Sequence, residues 1–585
     1  MALLALPSES IIRILALTEP LDILRCGVVC RLLRQIIESS AELQYLIELG
    51  SFGYIPPVNP RLDLSYKDKI STLRQHQDKW GSDTHMEVDT YKLRDLEARS
   101  MTYDFHGGTY VRGSSLPGMG ECTRRLDVYQ LPSINKGTKW KEWSHPDLGV
   151  DVRDFALQTD YDLLVLLEAN EPVSDGEILG RTGASPDATQ HIKIHLRSLE
   201  TGQSHPVAVC PTLECQVPSY MQSMCSFYAQ VVGRYLAVFF QVLAWRGTRC
   251  YELRIWDWTT GKLISYIEPS IDGAESFTFL SDQLILVPCA VTFTSDGKLR
   301  HQAHLDIYQF EEPSSDDATA QPACLIASFC LPGATETQTI ISRFSCRCDP
   351  APSPSTQITV PYVGHPRIYD LASEDRILCI AIEALNFRAN NGGRSRTKSM
   401  LYIPCMGLLS AVKGSLDEYT QRGSAVAILW KDWADIASWI DVGQIYTGNQ
   451  CYVYGQRTVG LVYARSEDVA NDAEEETTRI HSLVIFDFDP IRVKRASQRT
   501  RPGVRISKPE TENAWNIPME ETKLMRDVFL GGESKANTPF SVRTTLINER
   551  FHSPYCYVMI DEEHVVIVLQ DLGGRESSLV VYTFN

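Results

Sequence analysis

The sequence is poor in the features that mark secreted and membrane proteins. None of its asparagines lies in an Asn-x-Ser/Thr glycosylation site. No apolar run approaches the roughly 18 residues that a membrane-spanning helix needs. No Lys or Arg precedes the N-terminal apolar stretch, and Pro7-Ser8-Glu9-Ser10 interrupts it, so it lacks the pattern of a signal peptide. We therefore expect a soluble protein of the cytoplasm, the nucleus or both.

Positive charge is also scarce. The 585 residues include 56 Lys and Arg against 73 Asp and Glu, a formal net charge of −17. This imbalance argues against general affinity for nucleic-acid phosphates, although a local basic patch can still bind one. The 16 cysteines are scattered, mostly in strand-like apolar runs. That distribution suits a reducing compartment, where a buried thiol behaves as a small apolar side chain.

Motifs for catalysis, cofactors and metals are missing from the sequence. It has no Gly-x-Ser-x-Gly nucleophile elbow, no Gly-Lys-Thr/Ser phosphate loop and no dinucleotide fingerprint. His191 and His195 are four residues apart, but on a strand they are separated by about 13 Å, too far to share an ion. Cys346-x-Cys348 has no second pair at zinc spacing. We predict no catalytic, cofactor or metal site, and hence a protein that is not an enzyme.

The first fifty residues are predicted to form four short helices. Apolar residues recur at helical spacing in each of them: Ile11 to Thr18, Leu21 to Cys26, Val29 to Ile37 and Leu43 to Ile47. Helices of about ten residues are marginal alone. A unit of about forty residues has too little interior to bury all of this apolar surface. Part of the surface is therefore predicted to contact a partner.

The same stretch resembles the F-box motif. The residues that carry the likeness agree in order and spacing: Leu6-Pro7-x-Glu9, Ile14-Leu15, Asp22-Ile23-Leu24-Arg25, Val29-Cys30-Arg31 and Arg34. Thr18 and Leu33 stand where the family usually has Leu and Trp. The resemblance implies docking onto a Skp-type adaptor and, through it, onto a cullin-based ubiquitin ligase. It assigns adaptor binding or its structural support to Leu6, Pro7, Ile11, Ile14, Leu15, Ile23, Leu24, Val29 and Cys30. A generic helical cap on the following domain is the alternative.

Residues 51–90 are predicted to connect this helical unit to the rest of the chain. Residues 51–64 are rich in Pro and Gly, which favours an extended linker. "SYKDKISTLRQHQDKW" (65–80) predicts an amphipathic helix, which begins at the capping pair of Ser65 and Asp68. Its apolar side ends at Trp80, and it would hold a bound partner rigidly. F-box proteins of fungal type often have a similar helix that ends in Trp, which suggests a fungal-like lineage.

From about residue 90 onward, the sequence predicts paired antiparallel strands. Six pairs of apolar runs are clear: 161–168 with 192–203, 234–242 with 251–267, 282–293 with 304–310, 376–385 with 399–405, 458–464 with 481–490, and 563–571 with 577–585. A seventh pair lies at 108–113 and 124–133. "IWDWTTGK" (255–262) resembles the third strand of a WD-type propeller blade and its Thr-Gly turn into the outer strand.

This repetition predicts a degenerate WD-type β-propeller of seven blades over residues 91–585, after a helical F-box domain (1–50) and a linker (51–90). The strand that closes the ring is expected near residue 100. Blades of about 70 residues exceed the roughly 40–45 of a compact WD blade. The excess is expected in polar loops: 169–190, 311–322, 349–358, 386–398, 465–479 and 491–524. A pair of β-sandwiches is the alternative fold.

Together these features predict a substrate-recognition subunit of a cullin–RING ubiquitin ligase, with a target protein bound by the propeller. A scaffold that uses the F-box outside a cullin ligase is the first alternative. A propeller enzyme is the second, and it predicts acidic, His or Tyr side chains that converge on the central channel. The basic segment 492–508 is either a nuclear address, a contact for acidic partners or a solvated loop.

Overall fold

The computed structural model describes most of the chain in nineteen stretches. These are residues 3–81, 87–94, 100–117, 122–168, 189–218, 226–243, 249–270, 274–295, 298–312, 319–332, 339–353, 360–387, 394–442, 445–447, 450–463, 480–493, 540–546, 556–570 and 575–584. All structural statements below refer to these residues.

Four helices form the N-terminal unit, as the apolar spacing predicts. They are α1 (Ser8–Leu15), α2 (Pro20–Val29), α3 (Arg31–Ser39) and α4 (Ala41–Ser51). Pro20 at the first helical position suits the start of α2, because its fixed φ and missing N–H are tolerated there. The second helix continues past Cys26, where the predicted helical pattern ends, and it includes Gly27. Val29 ends α2, and Cys30, which is extended, separates α2 from α3.

The core of this helical unit is small. It contains seven buried apolar side chains: Ile11, Leu15, Ile23, Leu33, Ile36, Ile37 and Leu43. Leu33, where the family usually has Trp, is one of them. Thr18 follows α1, and its hydroxyl donates a hydrogen bond to the Leu15 carbonyl (2.7 Å), so it satisfies one of the orphan acceptors at the helix end.

Helix α5 (Tyr66–Gly81) connects the helical unit to the sheet domain. It begins at the predicted capping box, in which the Ser65 hydroxyl accepts from the Asp68 N–H and the Asp68 carboxylate accepts from the Ser65 N–H, both at 3.3 Å. At its other end, the Trp80 ring stacks on Phe584 with 3.8 Å between ring centroids. The Arg457 guanidinium lies 4.1 Å from the Trp80 ring centroid, a cation–π contact. Helix α5 therefore packs against Phe584, the last described residue of the chain.

The linker before α5 also contacts the sheet domain. Tyr54–Ile55 pairs with Asp370–Leu371 as a two-stranded antiparallel ribbon. The Tyr45 hydroxyl of α4 donates to the Ile368 carbonyl. Tyr45, Leu49, Phe52, Tyr54, Leu73, Ile368 and Tyr369 form one buried cluster. The F-box unit and the sheet domain therefore share a continuous core.

The sheet domain is a seven-bladed propeller, as predicted, and not a pair of sandwiches. From the channel outward, the strands of blade 1 are Ser100–His106, Thr109–Ser114, Arg125–Gln130 and Lys141–His145. Those of blade 2 are Val152–Gln158, Leu163–Glu168, Thr189–Ser198 and Thr212–Pro218. Those of blade 3 are Ser226–Val232, Tyr235–Leu243, Arg249–Asp257 and Lys262–Ser270.

Four further sheets complete the ring. The strands of blade 4 are Thr278–Phe279, Leu284–Ser295, Lys298–Gln309 and Cys324–Cys330. Those of blade 5 are Thr339–Arg347, Ile377–Phe387, Arg394–Pro404 and Ser438–Asp441. Those of blade 6 are Ile445–Tyr446, Arg457–Tyr463, Ile480–Asp487 and Ser541–Leu546, with Val453–Tyr454 as an extra pairing. Those of blade 7 are Tyr557–Ile560, His564–Gln570, Glu576–Thr583 and Glu87–Lys92.

All seven predicted pairs contain the second and third strands of a blade, and the run 251–267 also includes part of the fourth strand of blade 3. These strands are covered on both sides by neighbouring blades, which explains their dense apolar character. The Thr-Gly turn of "IWDWTTGK" also leads into an outer strand as predicted. There Asp257 accepts from the Thr259 N–H (2.9 Å) and hydroxyl (2.6 Å), and Gly261 takes the left-handed conformation (φ +79°).

The strand that closes the ring differs from the prediction. Glu87–Lys92 pairs with Glu576–Thr583, in register from Glu87 with Thr583 to Lys92 with Ser578. The strand near residue 100 (Ser100–His106) instead lines the channel in blade 1. Glu87–Lys92 lies across the domain boundary that the sequence places between residues 90 and 91.

Blade 5 carries helices that the strand pattern did not predict. Helix α6 (Cys405–Arg422) follows its third strand and ends at Gly423, which is left-handed (φ +68°). Val426–Ile428 then pairs in parallel with blade 4, before the short helix α7 (Trp430–Trp433). The segment "KDWADIASW" (431–439) begins within this short helix, and its two Trp side chains, Trp433 and Trp439, are buried in the core. No helix in the described part of the chain is both long and apolar enough to cross a membrane.

We expect Trp80→Ala to destabilise the protein by about 3–5 kcal/mol, as is common when a buried Trp is truncated. The substitution removes the stacking on Phe584 and the cation–π contact with Arg457. Urea denaturation measures the change in the free energy of unfolding. Lys67→Ala, at an exposed position of the same helix, is the control and should change it by less than about 0.5 kcal/mol. Equal effects of the two substitutions would contradict the anchoring role of Trp80.

Candidate functional site

The F-box unit presents an apolar face to solvent. Of the nine residues predicted for adaptor binding, Leu6, Pro7, Ile14, Leu24 and Val29 are exposed. Val29 is 73 % exposed and Leu24 49 %. Ile11, Leu15 and Ile23 are buried in the small core, and Cys30 is half-buried. The predicted set thus divides into five side chains that a partner can touch and four that support them, and the adaptor contact itself stays a prediction.

The apolar face extends beyond the predicted residues. It also contains Leu4, Leu17, Leu21, Val28 and Leu32, all of them exposed. The sequence carried a signal for part of this set, because Leu21, Leu24 and Val28 recur at i, i+3 and i+7 along α2. Ile23 is the one buried residue of α2. The helix therefore has apolar side chains on two sides, one that faces the core and one that faces solvent. Large exposed apolar patches of this kind mark interaction sites.

The F-box unit joins one particular face of the propeller, which we call the junction face. On this face lie the connections that lead from the first strand of a blade to its second strand. Trp80 donates to the Glu562 carbonyl (3.3 Å) in that turn of blade 7, and Tyr54–Ile55 pairs within the long connection 348–376 of blade 5. Below Trp80, His76 is buried: its Nδ1 donates to the Phe584 carbonyl (2.8 Å). Burial and the positive charge of Arg457 lower the pKa of His76 to about 3.

The opposite face, which we call the distal face, lies where the second strands end and the third strands begin. The predicted polar loops 169–190 and 465–479 connect those strands. The predicted loop 386–398 is wrong in its bounds, because 386–387 and 394–398 lie in the paired strands Ile377–Phe387 and Arg394–Pro404 and only 388–393 connects them. Their central residues lie outside the described part of the chain, as do half of 311–322, half of 349–358 and nearly all of 491–524. The described strand ends that flank these three connections, such as Glu168, Phe387 and Tyr463, lie at the distal face.

Only the first residues of the predicted basic segment are described. Arg492 is not available to a partner there, because it pairs with Asp487 (2.7 Å) and Asp489 (2.8 Å) and bonds to Gln77 of α5. It is a structural residue of the junction. The rest of the segment, residues 494–508, lies outside the described residues.

Polar side chains converge on the central channel, which is the arrangement that a propeller enzyme would need. Asp104, His106, Tyr228, Arg347 and Asp349 line a cavity of about 80 Å³. Burial raises the pKa of Asp104 to about 6, against the lowering effect of its backbone hydrogen bonds. Burial likewise raises the pKa of Asp349 to about 6 and that of the nearby Asp154 to about 7. Raised carboxyl pKa values alone are compatible with catalysis or with a structural role.

The contacts of these carboxylates favour the structural role. Asp104 accepts from the Phe105 N–H (2.8 Å) and from the Leu157 N–H (2.9 Å) of the next blade, and Asp154 accepts from the Phe155 N–H (2.8 Å). A second cavity at the junction face measures about 260 Å³ and is lined by the linker residues Ile55 and Val58. Both volumes lie below the roughly 300–1,000 Å³ of typical ligand pockets.

One group of possible metal ligands lies in blade 4. The ligand atoms of Cys289, His304 and Asp306 all lie within 4.8 Å of one another. Cysteine and histidine spacing along the chain did not reveal this group, because the hairpin brings together residues fifteen positions apart. The dipeptide Asp296-Gly297, a sequence typical of two-residue hairpin turns, was the available signal, since such a turn makes residues equidistant from it face each other.

Neither of the two sequence motifs considered for metal binding belongs to this group. His195 lies on a strand, as expected, and contacts Glu168 (2.8 Å) and Thr212 (3.1 Å) through its two ring nitrogens. Cys346 and Cys348 are both buried, and the Cys348 sulfur lies 3.4 Å from the Cys405 sulfur. Burial raises the pKa of the Cys346 thiol to about 11, which suits an inert core residue.

Comparison with known proteins identifies the N-terminal unit. Residues 3–44 match the family model of the F-box domain. The chain therefore carries an F-box domain followed by a seven-bladed β-propeller, which confirms the predicted architecture. This combination is typical of non-catalytic adaptor and receptor proteins. No curated protein sequence matches the chain.

Solved structures resemble the chain only distantly. The polysaccharide lyase Uly1 is 8 % identical with a TM-score of 0.35, and the match covers 87 % of this chain and 95 % of that one. The WD40 domain of SCAP from fission yeast is 8 % identical with a TM-score of 0.33, over 90 % and 98 %. Hsv2 of Kluyveromyces lactis is 8 % identical with a TM-score of 0.16, over 52 % and 98 %. Likenesses this weak carry no functional information, and the propeller assignment follows from the strand order.

We expect Asp154→Asn to flatten the pH dependence of stability between about pH 4 and pH 8. The pKa of Asp154 is raised from 3.8 to about 7, so folding favours its protonated form. The stability it contributes is fully present below about pH 4 and is lost as the pH rises through about 7. Asn mimics the protonated side chain and keeps an oxygen for the Phe155 N–H. Urea midpoints at several pH values measure the slope.

Asp151→Asn is the matched control for this prediction, because Asp151 is an exposed carboxylate three residues away. It should leave the slope close to that of the wild type. If Asp154→Asn also leaves the slope unchanged, the raised pKa of Asp154 is wrong.

Proposed function

We propose that this protein is the substrate-recognition subunit of a Skp–cullin–F-box ubiquitin ligase. The F-box domain would bind a Skp-type adaptor, and the adaptor would connect the chain to a cullin. The observation that carries this proposal is the apolar face of α1 to α3, which nothing else in the described chain covers. The family match at residues 3–44 supports it, because F-box domains typically bind such adaptors.

The propeller would bind the target protein. The F-box unit occupies the junction face, so the distal face is the surface that remains open to a target of any size. Glu168 and Tyr463, at that face, each precede a long connection (169–188 and 464–479), and long loops on a rigid scaffold often carry recognition. The shared core around Tyr45 and Tyr369 supports a fixed orientation of target and ligase.

The chain would contribute no bond chemistry of its own. Its effect would be to raise the local concentration of the target near a ubiquitin-charged enzyme, a proximity effect. Such a subunit would need no cofactor and would work in the cytoplasm, the nucleus or both. This part of the proposal rests on the architecture and on the structural contacts of the channel carboxylates.

We expect Leu24→Glu and Val29→Glu each to weaken binding to a Skp-type adaptor by at least about tenfold. Burying one such side chain contributes about 1.5–3 kcal/mol, and 1.4 kcal/mol corresponds to a factor of ten in affinity. Titration calorimetry with the purified full chain measures the affinity. Val209→Glu on the propeller is the matched control, since Val209 is 76 % exposed and Val29 73 %.

Unchanged adaptor affinity in both F-box variants, with circular dichroism like that of the wild type, would refute the adaptor assignment. Loss of binding in Val209→Glu as well would show that the effect is not specific to the F-box face.

Co-purification separates the ligase from a scaffold that uses its F-box outside a cullin complex. We expect a tagged chain isolated from its native cells to bring down both the adaptor and a cullin. The cullin should be lost together with the adaptor in Val29→Glu, because the adaptor is its only link to the chain. Recovery of the adaptor without a cullin would instead support the scaffold.

A further inference from the structure

Blade 4 brings a thiol, an imidazole and a carboxylate together on one side of its sheet. Cys289 of the second strand pairs directly with His304 of the third, and Asp306 follows two residues later on the same side. This side faces blade 3, because Cys289 packs in one core cluster with Tyr251 and Val287. The three side chains are therefore placed by the backbone register of one hairpin.

The distances suit shared binding of an ion. All three ligand atoms lie within 4.8 Å of one another. His304 Nε2 lies 3.3 Å from Asp306 Oδ2. Zinc holds sulfur at about 2.3 Å and nitrogen or oxygen at about 2.0–2.2 Å, so tetrahedral ligands lie roughly 3.3–3.6 Å apart. The 4.8 Å limit exceeds that separation, so binding would require the Cys289 side chain to move towards the other two ligands.

Neighbouring hydroxyl groups contact two of the three side chains, and the third side chain is partly exposed to solvent. The Ser328 hydroxyl donates to Asp306 (2.5 Å), and the Tyr251 hydroxyl of blade 3 lies 3.7 Å from the Cys289 sulfur. Outer partners of this kind orient metal ligands. Cys289 and Asp306 are buried, whereas the His304 side chain is 17 % exposed. An ion and a water ligand can therefore reach the site beside His304.

We propose that Cys289, His304 and Asp306 form a binding site for one zinc ion. The donor set selects the metal: a thiolate with an imidazole favours zinc over magnesium and calcium, which prefer oxygen ligands. Three protein ligands leave the fourth tetrahedral position to water. The site is independent of the F-box face, so binding of zinc and binding of the adaptor are separate properties of the chain.

Cobalt(II) is the spectroscopic probe for this site. The purified full chain, reduced and stripped of metal with a chelator, is titrated with Co²⁺ and then with Zn²⁺. We expect one equivalent of Co²⁺ to produce the near-ultraviolet charge-transfer band of a cobalt thiolate, and Zn²⁺ to remove it. Cys289→Ser should lose the band, and His304→Ala should weaken cobalt binding by at least about tenfold.

Blade 2 supplies matched controls. His195 also lies on a third strand beside a carboxylate, and Cys215 is another buried thiol. His195→Ala and Cys215→Ser should leave the titration unchanged. The proposal is wrong if the wild type shows no thiolate band with excess Co²⁺, or if Cys289→Ser retains it.

A measurement without substitutions covers the case in which the blade 4 variants do not fold. Cys289 is buried, so maleimide reaches it only when blade 4 opens locally. Zinc should slow its labelling in the wild-type chain by at least about tenfold, because a bound ion holds the site closed and occupies the thiolate. Peptide mass spectrometry measures the rate at each cysteine, and labelling of Cys215 should not respond to zinc. Equal labelling of Cys289 with and without zinc would overturn the proposal.

Discussion

The closure of the propeller by Glu87–Lys92 is the constraint on which the rest of the structure depends. This strand pairs along Glu576–Thr583, so one sheet contains residues from both ends of the chain. Closing a ring of sheets removes the exposed strand edges that otherwise promote aggregation. Because α5 ends only a few residues before this strand, the same closure fixes where the F-box unit attaches.

The attachment is a polar and aromatic junction rather than a simple tether. Trp80 lies between Phe584 and Arg457, and His76 binds the Phe584 carbonyl below it. Arg492 joins α5 to blade 6 through Gln77 and Asp487. Each of these groups is buried with a partner, which is what the low polarity of the site requires. A rigid junction keeps the apolar face of the F-box unit and the distal face of the propeller at a constant separation.

The small core of the F-box unit explains why its surface remains apolar. Seven buried residues occupy the whole interior, and α2 contributes only Ile23 to it. The other large apolar side chains of α2, Leu21, Leu24, Val28 and Val29, remain exposed to solvent. The channel of the propeller shows the opposite case, in which Asp104 is retained inside because it accepts backbone N–H groups of two blades.

The sequence by itself determined the F-box helices, the helix from Ser65 to Trp80 and the second and third strands of each blade. These elements carry their own periodic apolar pattern, and the two strands are covered on both sides. It did not reveal α6, whose pattern is diluted by Gly407 and Gly414, or the position of the closing strand, whose side chains are largely exposed.

Only the tertiary structure decided which apolar residues face outward and which distant groups meet. Ile23 and Leu24 are neighbours with the same chemistry, yet one is buried and the other exposed, because helix orientation depends on packing against α3 and α4. Cys289 and His304 meet through hairpin register, and Tyr45 reaches Ile368 through the folding of the whole ring. Local pattern specifies elements, whereas contacts between elements depend on how the complete chain packs.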